Sequence, residues 1–278
     1  MQHRASTRRA LVFVLLAALA WGTGGPTGAL LTQYGGLTPL ATSFWRLAAA
    51  ALWLAPAVAF RRSPVRPQLA ANPLRHLLCG LGLAVCQLGY FTAIPRVGVG
   101  IATVVALGAA PILITLFARE RFTPALFAAL AGLILLSATT GTTNLTGLAA
   151  AITSAAGYSL TTLVSRNTPD PLTTALLGFT TGAIFLAPFA ALPTTLTGWL
   201  LIAYFGLIPT ALAYTLYYAG LKTLKASTAA LIALLEPVVA TTIGLLVFRE
   251  HLTKTALAGA AILLAAITTQ TRSSRSRV

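Results

Sequence analysis

Ten apolar segments follow one another along this chain with only short breaks between them, and this succession limits the fold more than any other feature. The segments run near residues 11–31, 38–60, 75–95, 99–118, 123–141, 147–165, 172–192, 197–219, 227–248 and 254–270. Each is close to the roughly 20 residues that a helix needs to cross a membrane. Only 8% of the residues are charged, against about 25% in soluble domains. The sequence therefore predicts an all-α integral membrane protein with ten transmembrane helices.

Positive charge is distributed unevenly between the two ends of these helices. The net charge of +15 could indicate a nucleic-acid partner, but the basic residues lie in small groups between apolar segments. If ten helices alternate, Arg46 lies within a helix and only Arg96, Arg249 and Lys254 fall on the side opposite the termini. Because cytoplasmic loops are rich in Lys and Arg, we expect a multi-pass protein of the cell inner membrane with both termini cytoplasmic, and no nucleic-acid partner.

An internal repeat divides the chain into two halves. Residues 88–117 align with residues 214–243 at a constant offset, and an Arg-Glu-x-x-Thr motif follows each copy. The aligned pairs include Phe91 with Tyr217, Pro111 with Pro237, Thr115 with Thr241 and, in the motifs, Glu120 with Glu250. Shared Ala, Leu and Thr content could produce such similarity, but the aligned Pro and Arg-Glu positions favour duplication. We divide the chain into two five-helix repeats, 1–143 and 144–278.

The odd number of helices in each repeat requires that the second repeat be inverted relative to the first. In transporters built this way, the substrate site lies near the middle of the membrane where the halves meet. The first segment also resembles a secretory signal peptide, because Arg8-Arg9 precedes an apolar core that ends at Ala18-Leu19-Ala20. Apolar sequence continues beyond Trp21, and cleavage would break the repeat, so we expect the segment to remain as the first helix.

Several short motifs carry a family resemblance over nearly the whole chain. They are Ala20-Trp21-Gly22, Trp45-Arg46, Pro111 followed by Glu120, and Leu234-Leu235-Glu236-Pro237 followed by Arg249-Glu250. In this order and spacing they resemble the EamA-type family of the drug/metabolite transporter superfamily. The resemblance implies a transporter of small metabolites, since the family includes bacterial exporters of amino acids. The chain departs from the family pattern at Ala110, where an acid is expected, and in the Thr-rich tract 139–146.

Two ionisable residues lie within predicted membrane helices, where charge is costly and commonly marks a transport pathway. Glu236 lies in the ninth helix and Arg46 in the second, at depths that permit but do not require an ion pair. Glu236 could bind a substrate ammonium group or carry a proton, or it could be a neutral side chain bonded to a neighbouring helix. Arg46 could equally extend toward the outer interface or bond to nearby carbonyl groups.

The first helix contains the sequence Trp21-Gly22-Thr23-Gly24-Gly25-Pro26, which predicts a weakened or kinked segment. Backbone groups freed there could bind a zwitterion. A second interpretation, compatible with the first, is close helix packing through Gly24 and Gly28.

Polar aromatic residues form a further group of candidates. Gln87 and Tyr90 of the third helix, Tyr158 of the sixth and Tyr214 of the eighth lie deep enough to line a cavity. Tyr218 lies closer to the cytoplasmic end and is interpreted as an interfacial anchor. Cys79 and Cys86 are seven residues apart in one helix, about 10 Å, so they cannot form a disulfide bond and are expected to be small buried residues.

These observations predict a secondary transporter that works by alternating access and exports amino acids or related zwitterionic solutes. The predicted substrate-binding residues are Trp21, Gln87, Tyr90, Tyr158, Tyr214 and Glu236. No enzyme activity, cofactor or metal is expected; membrane lipid and a small-molecule substrate are the expected partners. Two alternatives remain open. A membrane-embedded lipid-modifying enzyme could use Arg249, Glu250 and His251, and a passive pore or scaffold would need no defined binding site.

Overall fold

The computed structural model describes residues 2–63, 65–137, 144–247 and 253–276, with side chains from residue 5 to residue 274. All regular elements in these ranges are helices. The helices of the first half are α1 (Gln2–Gly22), α2 (Gly24–Gly35), α3 (Pro39–Phe60), α4 (Val65–Ala71), α5 (Pro73–Phe117) and α6 (Pro124–Leu136). Those of the second half are α7 (Leu145–Val164), α8 (Pro171–Leu186), α9 (Leu196–Gly206), α10 (Ala213–Leu221), α11 (Ala226–Ala233), α12 (Leu235–Val247) and α13 (Lys254–Ser276).

Several helices begin after a polar N-cap residue, and in some of them the residue after the cap is proline. Thr123 and Asp170 accept hydrogen bonds from the backbone N–H groups of Leu126 and Thr173, and proline follows each of them. Asn144 accepts in the same way from Gly147 without a proline. Such N-caps satisfy N–H groups that have no partner within the helix, and proline has no N–H to leave unsatisfied.

Seven helical stretches in the described part of the chain are long and apolar enough to cross a membrane. They are residues 5–35, 39–60, 73–117, 145–164, 171–189, 196–221 and 226–247. Two further predicted segments correspond to the shorter apolar helix α6 and to α13, where polar residues follow Ile267. The prediction of an all-α membrane protein is therefore confirmed, whereas the count of ten spans stays a prediction.

The 45-residue helix α5 is two helices joined at Gly98. The backbone of Gly98 has φ 81° and ψ 158°, a conformation that only glycine adopts readily. The hydroxyl groups of Tyr90 and Thr103 lie 2.7 Å apart, whereas 13 residues of straight helix would separate their Cα atoms by about 19.5 Å. The chain therefore folds back at Gly98, in the gap between the predicted segments 75–95 and 99–118.

The first part of α5 packs against α7 in an antiparallel arrangement. A Cβ atom added to Gly82 would lie 2.7 Å from the carbonyl oxygen of Gly157, and one added to Gly89 would lie 2.6 Å from the backbone nitrogen of Ser154. Gly147, at the start of α7, lies against Val97. Later residues of α5 therefore contact earlier residues of α7, as in an antiparallel pair. Backbones approach this closely only where small residues line the contact.

The same arrangement occurs between α1–α2 and α9–α10, with the halves exchanged. Gly220 of α10 lies against Ala10 and Val14 of α1, while Gly198 of α9 lies against Gly35 of α2. In each case the third predicted span of one half packs antiparallel against the first span of the other. This reciprocal packing is the pattern expected of two halves of opposite orientation.

Candidate functional site

Four aromatic side chains from three helices meet inside the bundle and are here called the aromatic cluster: Trp21 of α1, Tyr158 of α7, and Tyr214 and Tyr217 of α10. The ring of Trp21 lies 4.9 Å from both Tyr214 and Tyr217 and 6.3 Å from Tyr158. These separations suit edge-to-face ring contacts. Three predicted site residues therefore lie together, because the ring of Trp21 contacts those of Tyr158 and Tyr214.

The indole Nε1 of Trp21 has no hydrogen-bond partner in the described part of the chain, although only 3% of the residue is exposed. The buried hydroxyl of Tyr158 lies beside that of Tyr217 without the geometry of a hydrogen bond. Leaving such a group unpaired costs about 1–3 kcal/mol. Since an indole N–H can only donate, the cluster offers a free donor to a ligand that carries a hydrogen-bond acceptor.

Glu236 lies in the first turn of α12, shortly after the break in the ninth predicted span. The regular helix is interrupted at Leu234 between α11 and α12. A Cβ atom added to Gly22 would lie 3.0 Å from the carbonyl oxygen of Glu236, so this backbone lies against the residue that follows Trp21. The carboxylate also interacts electrostatically with Tyr158 and Tyr214. Glu236 is therefore next to the aromatic cluster.

The surroundings of Glu236 combine buried and partly exposed residues. The residue keeps intermediate exposure, as do Tyr90 and Tyr158, while Trp21 and Tyr214 are buried. Tyr90 also interacts electrostatically with Glu236. The region between α1, α5, α7, α10 and α12 that these residues share is here called the central chamber.

Arg46 is held by the eighth predicted span. Its Nε donates to the hydroxyl of Thr210 at 3.2 Å, and its guanidinium lies 5.1 Å from the ring centre of Phe205. Thr210 belongs to a π-helical segment, Leu207–Leu212, that joins α9 to α10. Arg46 interacts electrostatically with Glu236, but no direct ion pair joins them within the described residues. Arg46 therefore bonds to a neighbouring helix, within the electrostatic range of Glu236.

The π-helical segment was not predicted from the sequence. Pro209 within it was a detectable signal, because proline cannot donate to the preceding turn. The hydroxyl of Thr210 bonds back to the carbonyl of Phe205, five residues earlier. Wide turns of this kind are frequent at functional sites, and this one positions the partner of Arg46.

Gln87 and Tyr90 lie on the same helix but bond to different partners. The Gln87 side-chain oxygen accepts a 3.5 Å hydrogen bond from Ser43 of α3, whereas Tyr90 bonds to Thr103 across the Gly98 turn. Gln87 therefore faces α3, and its bond does not link it to the aromatic cluster.

The interpretation of Tyr218 as an interfacial anchor is wrong. Tyr218 is fully buried, and its hydroxyl lies 3.4 Å from the sulfur of Cys79. Its ring packs against Tyr214 and Tyr217, so it supports the aromatic cluster from behind. An interfacial residue keeps its hydroxyl in contact with headgroups or water, which this burial prevents. Cys79 and Cys86 are free as expected, but Cys86 is only partly buried.

The predicted weak point in the first helix is confirmed, but its packing differs from the second interpretation. Helix α1 ends at Gly22 and α2 begins at Gly24. The hydroxyl of Thr23 donates to the carbonyl of Ala20 and accepts from Tyr204. Gly22 makes the close approach, to α12, whereas nothing lies within 4 Å of a Cβ atom at Gly28. A Cβ atom at Gly24 would lie 3.4 Å from the ring of Phe205, so the interpretation of close packing through both glycines is wrong at Gly28.

Glu120, noted in the sequence as part of a repeat motif and of a family motif, caps another helix. Its carboxylate accepts hydrogen bonds from the backbone N–H groups of Ala226 and Ser227, at 3.1 and 3.0 Å, and from the Ser227 hydroxyl. Arg166 lies 3.4 Å from it. The residue thus joins the ends of α5, α7 and α11. The alternative catalytic group of Arg249, Glu250 and His251 lies outside the described residues.

Comparison with known proteins follows the two-part organisation of the chain. The model of a family described as the EamA-like transporter family matches twice, over residues 8–143 and 141–270. An uncharacterized transporter of Bacillus subtilis (strain 168), YwfM, is 31% identical over 273 residues, covering 91% of this chain and 90% of the relative. An uncharacterized transporter of Archaeoglobus fulgidus is 31% identical over 126 residues, covering 44% of this chain and 46% of the relative.

The fold itself also occurs in a solved crystal structure. The two share a TM-score of 0.78 at 22% sequence identity, over 96% of this chain and 98% of the other. At this identity, the likeness concerns the fold alone.

Proposed function

The chain belongs to the EamA-like transporter family, and we propose that it is a secondary transporter that exports amino acids or related zwitterionic solutes by alternating access. The single observation that carries the substrate class is the indole N–H of Trp21, which has no hydrogen-bond partner in the described part of the chain, on a helix whose next residue, Gly22, lies against the backbone of Glu236. The indole N–H is a hydrogen-bond donor without a partner, and the carboxylate of Glu236 can pair with a positive charge. A zwitterion carries a carboxylate for the indole N–H and an ammonium group for Glu236.

The proposed membrane architecture is ten helices in two inverted repeats, 1–143 and 144–278. Dividing α5 at Gly98 gives two of these spans, and α6 and α13 supply the two that seven long apolar stretches leave out. The reciprocal antiparallel packing of third and first spans supports the inversion. The charge asymmetry supports cytoplasmic termini in the cell inner membrane.

The proposed substrate site is the central chamber. Glu236 binds the ammonium group of the substrate, and Trp21 donates a hydrogen bond to the carboxylate of the substrate. Tyr90, Tyr158 and Tyr214 line the space around them, with Gln87 at the side toward α3. A carboxylate among aromatic rings is suited to an ammonium group, because both the charge and the ring faces attract it.

Alternating access would require the two halves to move against each other around this chamber. The chamber is built from α1, α5, α7, α10 and α12, so both halves contribute to it. The helix breaks at Thr23, Gly98 and Leu234 and the π-helical segment are the positions where the spans could bend.

Substrate exchange across proteoliposomes tests the proposal. Vesicles loaded with one unlabelled amino acid at a time would be supplied with a trace of the labelled compound. Saturable accumulation for some compounds, above protein-free vesicles, is expected. Flux that rises linearly with concentration would indicate a pore, and no flux across a broad panel of amino acids and related zwitterions would overturn the proposal.

A further inference from the structure

A cleft of about 620 Å³ opens between α1, α3, α8 and α10 at the end of the bundle where basic residues gather. Three cations line it, each from a different helix region: Arg9 in α1, Arg61 directly after α3 and Lys222 directly after α10. All three side chains are exposed. This basic cleft involves none of the residues of the aromatic cluster or Glu236.

Among the described residues that line the cleft, the one carboxylate, that of Asp170, is already engaged. Asp170 accepts from the backbone N–H of Thr173 at 3.3 Å and from its hydroxyl at 2.6 Å. The basic residues are less fully used. Lys222 makes one hydrogen bond, to the carbonyl of Pro169, and Arg9 lies over the ring of Phe13 at 5.2 Å. In the described lining, three positive charges therefore face the space with a single negative charge, whose carboxylate is bonded within its own helix.

On the side away from the basic residues, along the helix axes, the wall of the cleft is apolar. Phe13 and Leu172 line the cleft itself. About one turn after Phe13 in α1, Leu16 is 47% exposed, and Leu212, about one turn before Thr215 of the cleft, is 45% exposed. A basic opening that continues into exposed apolar side chains matches a molecule with an anionic head and an apolar tail.

We propose that the basic cleft binds the phosphate headgroup of an anionic phospholipid, taken from the cytoplasmic leaflet. The phosphate contacts Arg9, Arg61 and Lys222, and the first acyl carbons lie along Phe13 and Leu16. Basic pockets between membrane helices on the cytoplasmic side are suited to such headgroups. Only the choice of leaflet rests on the proposed orientation; the site itself does not depend on the transported substrate.

Lipid titration in nanodiscs tests this site without any transport assay. The purified protein would be placed in nanodiscs of phosphatidylcholine with rising fractions of phosphatidylglycerol, and its melting temperature followed. A ligand that binds the folded state raises this temperature, so a saturating rise is expected. Removal of cations should weaken the lipid effect roughly fivefold for each residue, first in Arg9→Ala and further in a triple variant with Arg61→Ala and Lys222→Ala.

The control is Arg272→Ala, which removes the same charge from an exposed position outside the cleft and should leave the titration unchanged. A second arm adds inorganic phosphate to phosphatidylcholine nanodiscs. Equal stabilisation by phosphate would mean that the site takes free anions and would overturn the lipid assignment. A wild-type protein indifferent to phosphatidylglycerol, or an Arg9→Ala variant that keeps the full effect, would also overturn it. If the triple variant does not fold, Arg9→Ala and the wild-type titration still decide.

Discussion

Four acidic residues occur in the entire sequence, and each described one has a distinct environment. Glu120 and Asp170 cap helices at the ends of the bundle, where each accepts several hydrogen bonds. Glu236 stands apart, because it lies in the middle of an apolar stretch with no ion-pair partner within the described residues. Ionisable groups in such positions are costly and commonly mark a transport pathway, which supports the proposed role of Glu236.

Replacing Glu236 by glutamine should abolish exchange of amino acids while the protein still folds. The change keeps the size of the side chain and removes the charge that would hold an ammonium group. Because a partly buried charge is costly, the melting temperature in detergent should stay the same or rise. Exchange at the wild-type rate in Glu236→Gln vesicles would exclude a role for this carboxylate.

Replacing Trp21 by phenylalanine should raise the substrate concentration for half-maximal exchange by roughly tenfold or more, since a hydrogen bond to a charged group contributes about 1.5–3 kcal/mol. The ring contacts with Tyr214 and Tyr217 are largely kept, so expression and melting temperature should change little. Trp199→Phe provides a matched control at a residue that is 42% exposed. Equal effects of the two changes on exchange would contradict the assignment of Trp21.

At the scale of single elements, helix ends in this protein are tied to distant parts of the chain. The N-terminus of α11 has no cap of its own from Lys225, which makes no side-chain capping bond. Glu120 supplies the missing acceptor from 106 residues earlier. The positive end of a helix dipole also favours a carboxylate at this position.

Replacing Glu120 by alanine should destabilise the protein by about 2 kcal/mol, because two backbone N–H groups lose a charged acceptor. Arg166→Ala should cost less than about 1 kcal/mol, since this ion pair is partly exposed and such pairs contribute little. Denaturant or thermal unfolding of both variants in the same detergent gives the comparison. A larger loss in Arg166→Ala would show that the ion pair, not the cap, holds these helices together.

Asp170 should make stability depend on pH in the acid range. Burial alone would raise the pKa of this carboxyl group, but hydrogen bonds from Thr173 and Ser63 and from the backbone N–H groups of Thr173 and Leu172 outweigh it and lower the pKa. A lowered folded-state pKa means that the charged form adds stability above the ordinary pKa, and that this is lost as pH falls through the folded-state value.

The melting temperature of the wild type should therefore fall more steeply between about pH 5 and pH 3 than that of Asp170→Asn. Asparagine keeps the capping ability, so the two proteins share the geometry of α8 and differ in charge. Parallel curves over this range would mean that the carboxylate adds no stability of its own.

For the whole molecule, much of the membrane fold could be predicted, because a long run of apolar residues by itself indicates a membrane span. Apolar runs of span length identified the helices, and a gap between two runs at residues 95–99 marked the turn at Gly98. Contacts between distant residues could not be read in this way. The Glu120 cap joins residues in different halves, and the π-helical partner of Arg46 depends on a backbone register that side-chain periodicity does not encode.

The candidate site was predicted for a similar reason and only in part. Polar side chains are rare inside apolar spans, so Trp21, Tyr158, Tyr214 and Glu236 were conspicuous, and the structure places them together. Tyr217 was overlooked because it resembles its neighbours Tyr214 and Tyr218 in sequence. Its depth depends on how α10 is rotated against α1, which is decided by close packing at Gly220.

Cys86 provides a native probe of the central chamber. It is partly exposed, lies one residue before Gln87 and interacts electrostatically with both Glu236 and Arg46. The other cysteine, Cys79, is fully buried and serves as an internal control. The reactivity of this thiol would therefore report on whether the proposed chamber opens to each side of the membrane.

The central claim, one chamber exposed in turn to both sides, is tested most directly by the rate of Cys86 alkylation in oriented proteoliposomes. A membrane-impermeant maleimide would be applied from either side, with and without a saturating transported amino acid, and a Cys86→Ser variant would give the background. We expect labelling from both sides, slowed by the substrate in each case. Labelling from one side only, or at a rate that no transported substrate changes, would contradict the account.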